Sequence, residues 1–320
     1  MTPWKNLIAR VEYRRRWLLQ WLGAKPVAGI QWLTFQVLRL FPVAMVSTLG
    51  GWLGRLSAHW VYPDGLRTAK ANLRWLEPSW TETRIHDVAM RQFENAGRLK
   101  TEFAIMHRLM GAGRIDVENA EAFEAARSSG PVVLAAAHVG NWETLVPLLA
   151  SLETPVLYIY EPQPDALQMR LAMQVREACA TPGSVFVTRD ADALRRVLDW
   201  LAAGGTMVIF CDEDIKGDCY APFFGRPPRV RGNYSFAVRF AQSANATLLP
   251  VHVVRHHGCR FTARFGSPVH LAATDGGRRH AIDGVVRLND ALEPIVRANL
   301  DSWWYLGWRF SGVDYASIPG

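Results

Sequence analysis

The 320-residue chain is expected to form an α/β fold, with a largely parallel central sheet flanked by helices and an N-terminal helical membrane-associating region. Three observations predict it. From Ile115 onward, β-branched apolar runs alternate with helix-period segments, the pattern of βαβ units. One run, Val132 to Ala137, is apolar at every position, as a strand buried on both faces requires, and it breaks off at His138 and Gly140. Charge is also lopsided: residues 1–62 carry eight Lys and Arg against one acid, Glu12, which is the whole of the net +7.

Taken in order, residues 4–22 predict a basic amphipathic helix. Arg14, Arg15 and Arg16 before a short apolar run superficially resemble a twin-arginine signal. Lys25 and Pro26 interrupt that run, so the segment is expected to be retained. Residues 27–62 are apolar, but Arg39 and Pro42 divide them, and neither half reaches the ~20 apolar residues of a spanning helix. A re-entrant or interfacial hairpin is expected, with an ordinary pair of core helices as the alternative. Six of the thirteen tryptophans lie in residues 1–62 beside these cations, a composition that favours a membrane interface over a nucleic-acid face.

Residues 63–112 are expected to be two helices packed on the core, separated by Pro78, Ser79 and Thr81. Ala69, Leu73 and Leu76 would face inward on the first, and Ile85, Val88, Ala89, Phe93 and Ala96 on the second. Residues 113–320 then form the α/β domain. Its expected strands are 115–117, 132–137, 155–159, 184–188 and 206–211, with helices between them reaching Arg127, Leu152, Ala180 and Leu201. A hairpin over 248–255 and 260–266 and a last helix over 281–298 complete it. The content of hydrophobic residues, 49%, supplies a sizeable core. Four scattered cysteines without a C-x-x-C pair suggest neither disulfides nor structural zinc, and fit a reducing compartment.

His138 would stand at the carboxyl end of a buried strand, the edge where open α/β sheets bind ligands. Glu143 would follow in the first helical turn, near enough to fold back on the imidazole and make it a general base. The chain holds two other His–acid pairs at this spacing, His59/Asp64 and His270/Asp275, but neither lies between a buried strand and a helix. No Ser or Cys sits in a G-x-S-x-G turn, which argues against a serine hydrolase. His252 and His256 on one strand would be about 13 Å apart, too far to share a zinc ion. No metal and no cofactor is expected.

The HVGNWE stretch resembles the H-x4-D/E signature of the lysophospholipid acyltransferase superfamily, and with Gly-Asn-Trp inside it is similar to the bacterial lipid A biosynthesis (lauroyl/myristoyl) acyltransferases. Downstream blocks agree in type and order: GSVFVTRD, the acidic turn Asp212-Glu213-Asp214 and the Phe-rich APFFG. The acidic turn departs from the family's Asp-x-Asp-Gly form, which leaves open which acid faces the site. The resemblance implies His138 and Glu143 as the catalytic pair. It also implies Arg189 as a holder of the acceptor's phosphate or polar head, with Asn141, Asp212, Glu213, Arg229 and Arg231 on the acceptor side. Trp142, Phe223 and Phe224 would contact acyl chain or membrane. On residues alone, Arg189 could equally pair with Asp190 or Asp192, and the Phe-rich loop could simply pack under the sheet. The implied activity is O-acyl transfer from acyl carrier protein, or acyl-CoA, to a hydroxyl of a lipid A precursor or related glycolipid. Its place would be the cytoplasmic face of the inner membrane, with membrane lipids as partners and no nucleic acid. A thioesterase and a non-catalytic membrane scaffold are the alternatives.

Overall fold

The computed structural model describes residues 29–318 apart from 31, 112, 163–164, 189, 213, 216–217 and 272–277. The expected helix over 4–22 lies outside them. The described part opens with helical residues 29–30 and 32–38 (α1), a turn through Arg39 and Leu40, and α2 over Val43–Trp60, started by Pro42. Two helices are therefore present, as both readings of this stretch require. One face of α2 packs inward through Val46, Ser47, Gly50, Gly54 and Ala58, while Met45, Leu49, Trp52 and Trp60 remain exposed. Among the described residues no helix is long and apolar enough to cross a membrane.

Helix α3 spans Pro63–Leu76, with proline in its first turn, and α4 spans Glu82–Glu102. Thr81 caps α4 by accepting the Arg84 N–H at 3.3 Å, satisfying one of the N–H groups that a helix start leaves open. Helices α2 and α4 cross with glycine against glycine. A Cβ at Gly50 would overlap the carbonyl of Gly97, and one at Gly97 would overlap the backbone of Gly54. The short helix α5, Met106–Gly111, leads into the sheet.

The α/β part runs β1 Ile115–Glu118, α6 Ala120–Ser129, β2 Val132–Ala136, α7 Leu145–Ser151, β3 Val156–Tyr160, α8 Ala166–Cys179, β4 Val185–Thr188, α9 Ala193–Ala202 and β5 Thr206–Phe210. Two-residue strands β6 (Asp214–Ile215) and β7 (Asp218–Cys219) follow, then α10 Asn233–Ser243, β8 Thr247–His256, β9 Arg260–Phe265, α11 Arg278–Ala298 and β10 Arg309–Phe310. The seven-stranded sheet has the order β1-β9-β8-β2-β5-β3-β4. Every pairing is parallel except the β8–β9 hairpin. Strand β2 lies at the centre, and its side chains feed two cores. Val133 and Ala135 join the cluster that includes α3, α4 and α11, and Val132, Leu134 and Ala136 join the cluster on the other face.

The aromatic C-terminal stretch folds into 3-10 turns and runs back to the end of β2. The Trp304 N–H donates to the His138 carbonyl at 2.9 Å. Asn72 on α3 ties the same stretch down by donating to the carbonyls of Leu306, at 2.7 Å, and Trp308, at 2.8 Å.

Candidate active site

In the parallel pair β2 and β5, Ala136 is opposite Phe210. Continuing each strand by two residues brings His138 beside Asp212 at the carboxyl edge of the sheet. Asp212 has no solvent exposure and His138 keeps 19% of its side chain exposed. His138 Nδ1 lies 2.8 Å from Asp212 Oδ1, and the His138 backbone N–H donates to Oδ2 at 2.8 Å. The indole N–H of the buried Trp303 donates to Oδ2 at 2.8 Å as well. Three donors around one acid suit a carboxylate, which accepts only. The ring proton therefore belongs on Nδ1, and Nε2 is left with its lone pair. Among the described residues no side chain bonds Nε2. The ring stacks on Phe210 at 4.3 Å between centroids and meets Trp142 at 5.0 Å and Tyr305 at 5.4 Å edge-on. Chemically, an imidazole held in this way by a buried carboxylate among aromatic walls can act as a general base.

The carboxylate against the imidazole is thus Asp212, not the expected Glu143. Glu143 falls in the 3-10 turn Trp142–Thr144 and faces α8, where it accepts two bonds from Arg176, at 3.1 and 2.5 Å. Burial alone would push the Arg176 guanidinium down, but the charge and hydrogen bonds of Glu143 outweigh it and hold its pKa raised. Asp212 is accordingly no acceptor contact, because its oxygens are spent inside the protein.

Asn141 is also placed differently from the expectation. It is 1% exposed, and its Nδ2 donates to Glu102 Oε2 at 2.8 Å. Its Oδ1 is buried without a hydrogen-bond partner among the described residues. Glu102 is itself wholly buried. Burial would raise its pKa, but the charge and hydrogen bonds of Arg255, helped by Ser47 and Asn141, hold it below the usual carboxylate range.

Phe223 and Phe224 are core residues, which corrects their assignment to lipid contact. Their rings lie 5.7 and 5.8 Å from that of Trp303, and Arg226 fixes the loop by donating to the carbonyls of Phe223 and Cys219, at 3.0 and 2.7 Å. Trp142 is half-buried, its ring edge-on to that of His138. Arg229 and Arg231 are exposed on the loop, Arg229 over the ring of Tyr220 at 5.0 Å. Arg189 and Glu213 lie outside the described residues. His256 bonds Thr262 Oγ1 at 2.8 Å, and among the described residues no group of three His, Cys, Asp or Glu could hold a metal ion.

A cleft of about 830 Å³ opens between α2, α3, α4 and the C-terminal turns. Leu53, Tyr62, Phe93, Lys100, Trp304 and Trp308 are among its walls. Trp304 packs with its ring 5.3 Å from that of Trp142, which borders His138.

Compared with known proteins, the chain matches over residues 9–311 the family model described as bacterial lipid A biosynthesis acyltransferase. No curated protein matches it. Among solved structures it is similar to the 1-acyl-sn-glycerophosphate (LPA) acyltransferase PlsC from Thermotoga maritima. Identity is 13%, the TM-score 0.37, and the match covers 81% of this chain and 97% of that one.

Proposed function

The chain belongs to the bacterial lipid A biosynthesis acyltransferase family, and from that premise we propose that it moves a fatty acyl group from a thioester onto a hydroxyl of a glycolipid. The donor is acyl carrier protein or CoA carrying the chain, and the acceptor is a lipid A precursor or a related glycolipid. The observation that carries this reading is the pairing of His138 with Asp212, which leaves Nε2 as the free basic nitrogen.

An alcohol is a weak nucleophile while protonated. His138 Nε2 takes the hydroxyl proton as the oxygen attacks the thioester carbonyl, and Asp212 holds the tautomer and stabilises the imidazolium. The tetrahedral intermediate then collapses, the carbon–sulfur bond breaks, and the departing thiolate takes the proton from the imidazolium. The enzyme ends as it began, and no acyl-enzyme forms.

The apolar cleft is assigned to the acyl chain, since it is lined by Leu53, Phe93, Trp304 and Trp308, and Trp304 in turn packs on Trp142 beside His138. Arg189, with the exposed Arg229 and Arg231, is assigned to the acceptor's phosphate or polar head, which a planar guanidinium binds through two parallel hydrogen bonds. The exposed apolar face of α1 and α2 is assigned to the cytoplasmic side of the inner membrane, where both substrates would be met.

The test is mass spectrometry of lipid products after the purified full chain meets an acyl thioester and a membrane lipid extract. A new O-acyl ester on a glycolipid is expected. Thioester loss with free fatty acid as the sole product would make water the acceptor and the protein a thioesterase.

A further inference from the structure

Glu102, the last residue of α4, brings together groups from four parts of the chain. Ser47 on α2 donates to its Oε1 at 2.6 Å, and Arg255 on β8 reaches both oxygens at 2.7 Å. The Cys259 thiol lies 3.4 Å from Oε1, and Asn141 donates to Oε2 at 2.8 Å. Asn141 stands three residues beyond His138. Its own carbonyl accepts the Thr144 hydroxyl at 2.6 Å and the Thr144 N–H at 3.0 Å, so holding this side chain also holds the turn that follows.

The strand-end loop thereby has three fixed points. Asp212 grips His138 and Glu102 grips Asn141. Between them Gly140, at φ +64°, lies so close to Val253 that any Cβ would overlap its carbonyl oxygen. Replacing a buried ion pair with apolar residues of similar volume often costs no stability, so the Glu102–Arg255 pair is poorly explained as reinforcement of the core. Its geometry supplies another use.

Building on the acyl-transfer reading, we propose that Glu102 is a positioning residue for His138, acting through Asn141, and that Ser47 brings helix α2 onto the same carboxylate. Glu102 touches no reacting atom. It fixes the loop from behind, so that the open nitrogen of His138 stays where the hydroxyl and the thioester meet. The serine hydroxyl is engaged on both sides, accepting from Arg98 Nη1 at 3.0 Å while donating to Glu102.

The experiment uses the full chain in detergent micelles with an acyl-CoA and a phosphorylated glycolipid, comparing Asn141→Ala, Ser47→Ala, Glu102→Gln and the exchange Glu102→Gln/Asn141→Asp. Asn141→Ala should lower kcat roughly 10- to 100-fold, the cost of a base displaced by up to about an ångström, with both KM values within about twofold of wild type. Ser47→Ala should lower kcat about threefold. The exchange moves the charge by one partner while keeping an amide against a carboxylate, and should recover most of what Glu102→Gln loses. Glu102→Gln strands Arg255 and can unfold the chain, so Asn141→Ala is the deciding variant. A folded Asn141→Ala with near-normal kcat, or a loss confined to KM, overturns the proposal.

A second measurement needs no substrate. The imidazole NMR signal of His138, identified by its disappearance in His138→Ala, should move in Asn141→Ala and return toward its original position in the exchange variant. An unmoved signal overturns the proposal. Lack of any transfer by the wild-type chain would instead count against the acyl-transfer reading, and the imidazole signal would still decide the role of Glu102.

Discussion

Asp212 holds His138 twice, at the backbone N–H and at ring Nδ1, each at 2.8 Å. One carboxylate thus sets the position of the residue and the rotation of its ring together. His138→Ala should lower kcat roughly 10²- to 10⁴-fold in a folded protein, the usual loss for a general base. Asp212→Asn should fall in the same range, because an amide presents a donor where the ring also donates and so favours the wrong tautomer. Steady-state kinetics on both variants, with circular dichroism to verify folding, would check this. Near-normal turnover in Asp212→Asn would remove it from the mechanism.

Glu143 offers a contrast. Its pairing with Arg176 predicts that Glu143→Gln costs stability, roughly 1–3 kcal/mol for a partly buried guanidinium left short of an acceptor, while kcat falls by less than in Asp212→Asn. Urea titrations and kinetics on the same preparations separate the two effects. A stable Glu143→Gln variant with kcat down a thousandfold would place Glu143 at the reacting atoms once substrate is bound.

Membrane contact through α1 and α2 is testable by point changes. Trp52, Trp60 and Leu40 are 61%, 81% and 82% exposed, so replacing them with Asp removes little from the fold. Each should weaken binding to anionic vesicles roughly 10- to 150-fold, as expected from burying ~1.5–3 kcal/mol of side chain in the interface, with the melting temperature nearly unchanged. Unaltered flotation of the triple variant with vesicles would move the anchor elsewhere, toward residues 1–28. Deleting all of residues 1–62 is a poorer test, since it also strips Ser47 and the glycine crossing from α4.

His252 should leave its mark on stability. Burial first, then the charge of Arg264, pushes its pKa from the ordinary 6.5 down to about 4, with Glu118 pulling slightly the other way. The unfolded chain takes up a proton near pH 6.5 that the folded chain refuses until about 4. Its contribution is therefore complete above pH 6.5 and declines as pH falls toward 4, by up to roughly 3 kcal/mol. Urea midpoints from pH 8 to 4.5 should show the decline, and His252→Gln should flatten it. An equal slope in the variant would assign the loss to other groups.

The alternation of strands and helices was legible because each buried strand is a compact run of apolar residues, and the β8–β9 hairpin because its strands are four residues apart. His138 was legible for the same reason, as the first polar side chain after such a run. Its partner was not. Asp212 is 74 residues away in sequence and becomes a neighbour through the parallel register of β2 and β5, so local spacing pointed to Glu143 instead. Both residues stand two positions past paired strand ends, and that shared offset is a signal available once the strands are known to be adjacent. Trp303, Trp304 and Tyr305 form a dense aromatic stretch in the sequence, but nothing local indicates that it returns to His138. Phe223 and Phe224 were misjudged because a Phe pair in a proline-rich loop has the same sequence whether it faces lipid or the underside of a sheet.

The glycine crossing makes α2 and α4 a single mechanical unit. With Gly50 and Gly54 set against Gly97, no side chains separate the helices, and their axes belong at the low end of the ~8–10 Å spacing of packed helices. Such a joint cannot stretch. Whatever the exposed face of α2 rests on, its position is thereby passed rigidly to α4, and through Glu102 and Asn141 to the loop that carries His138.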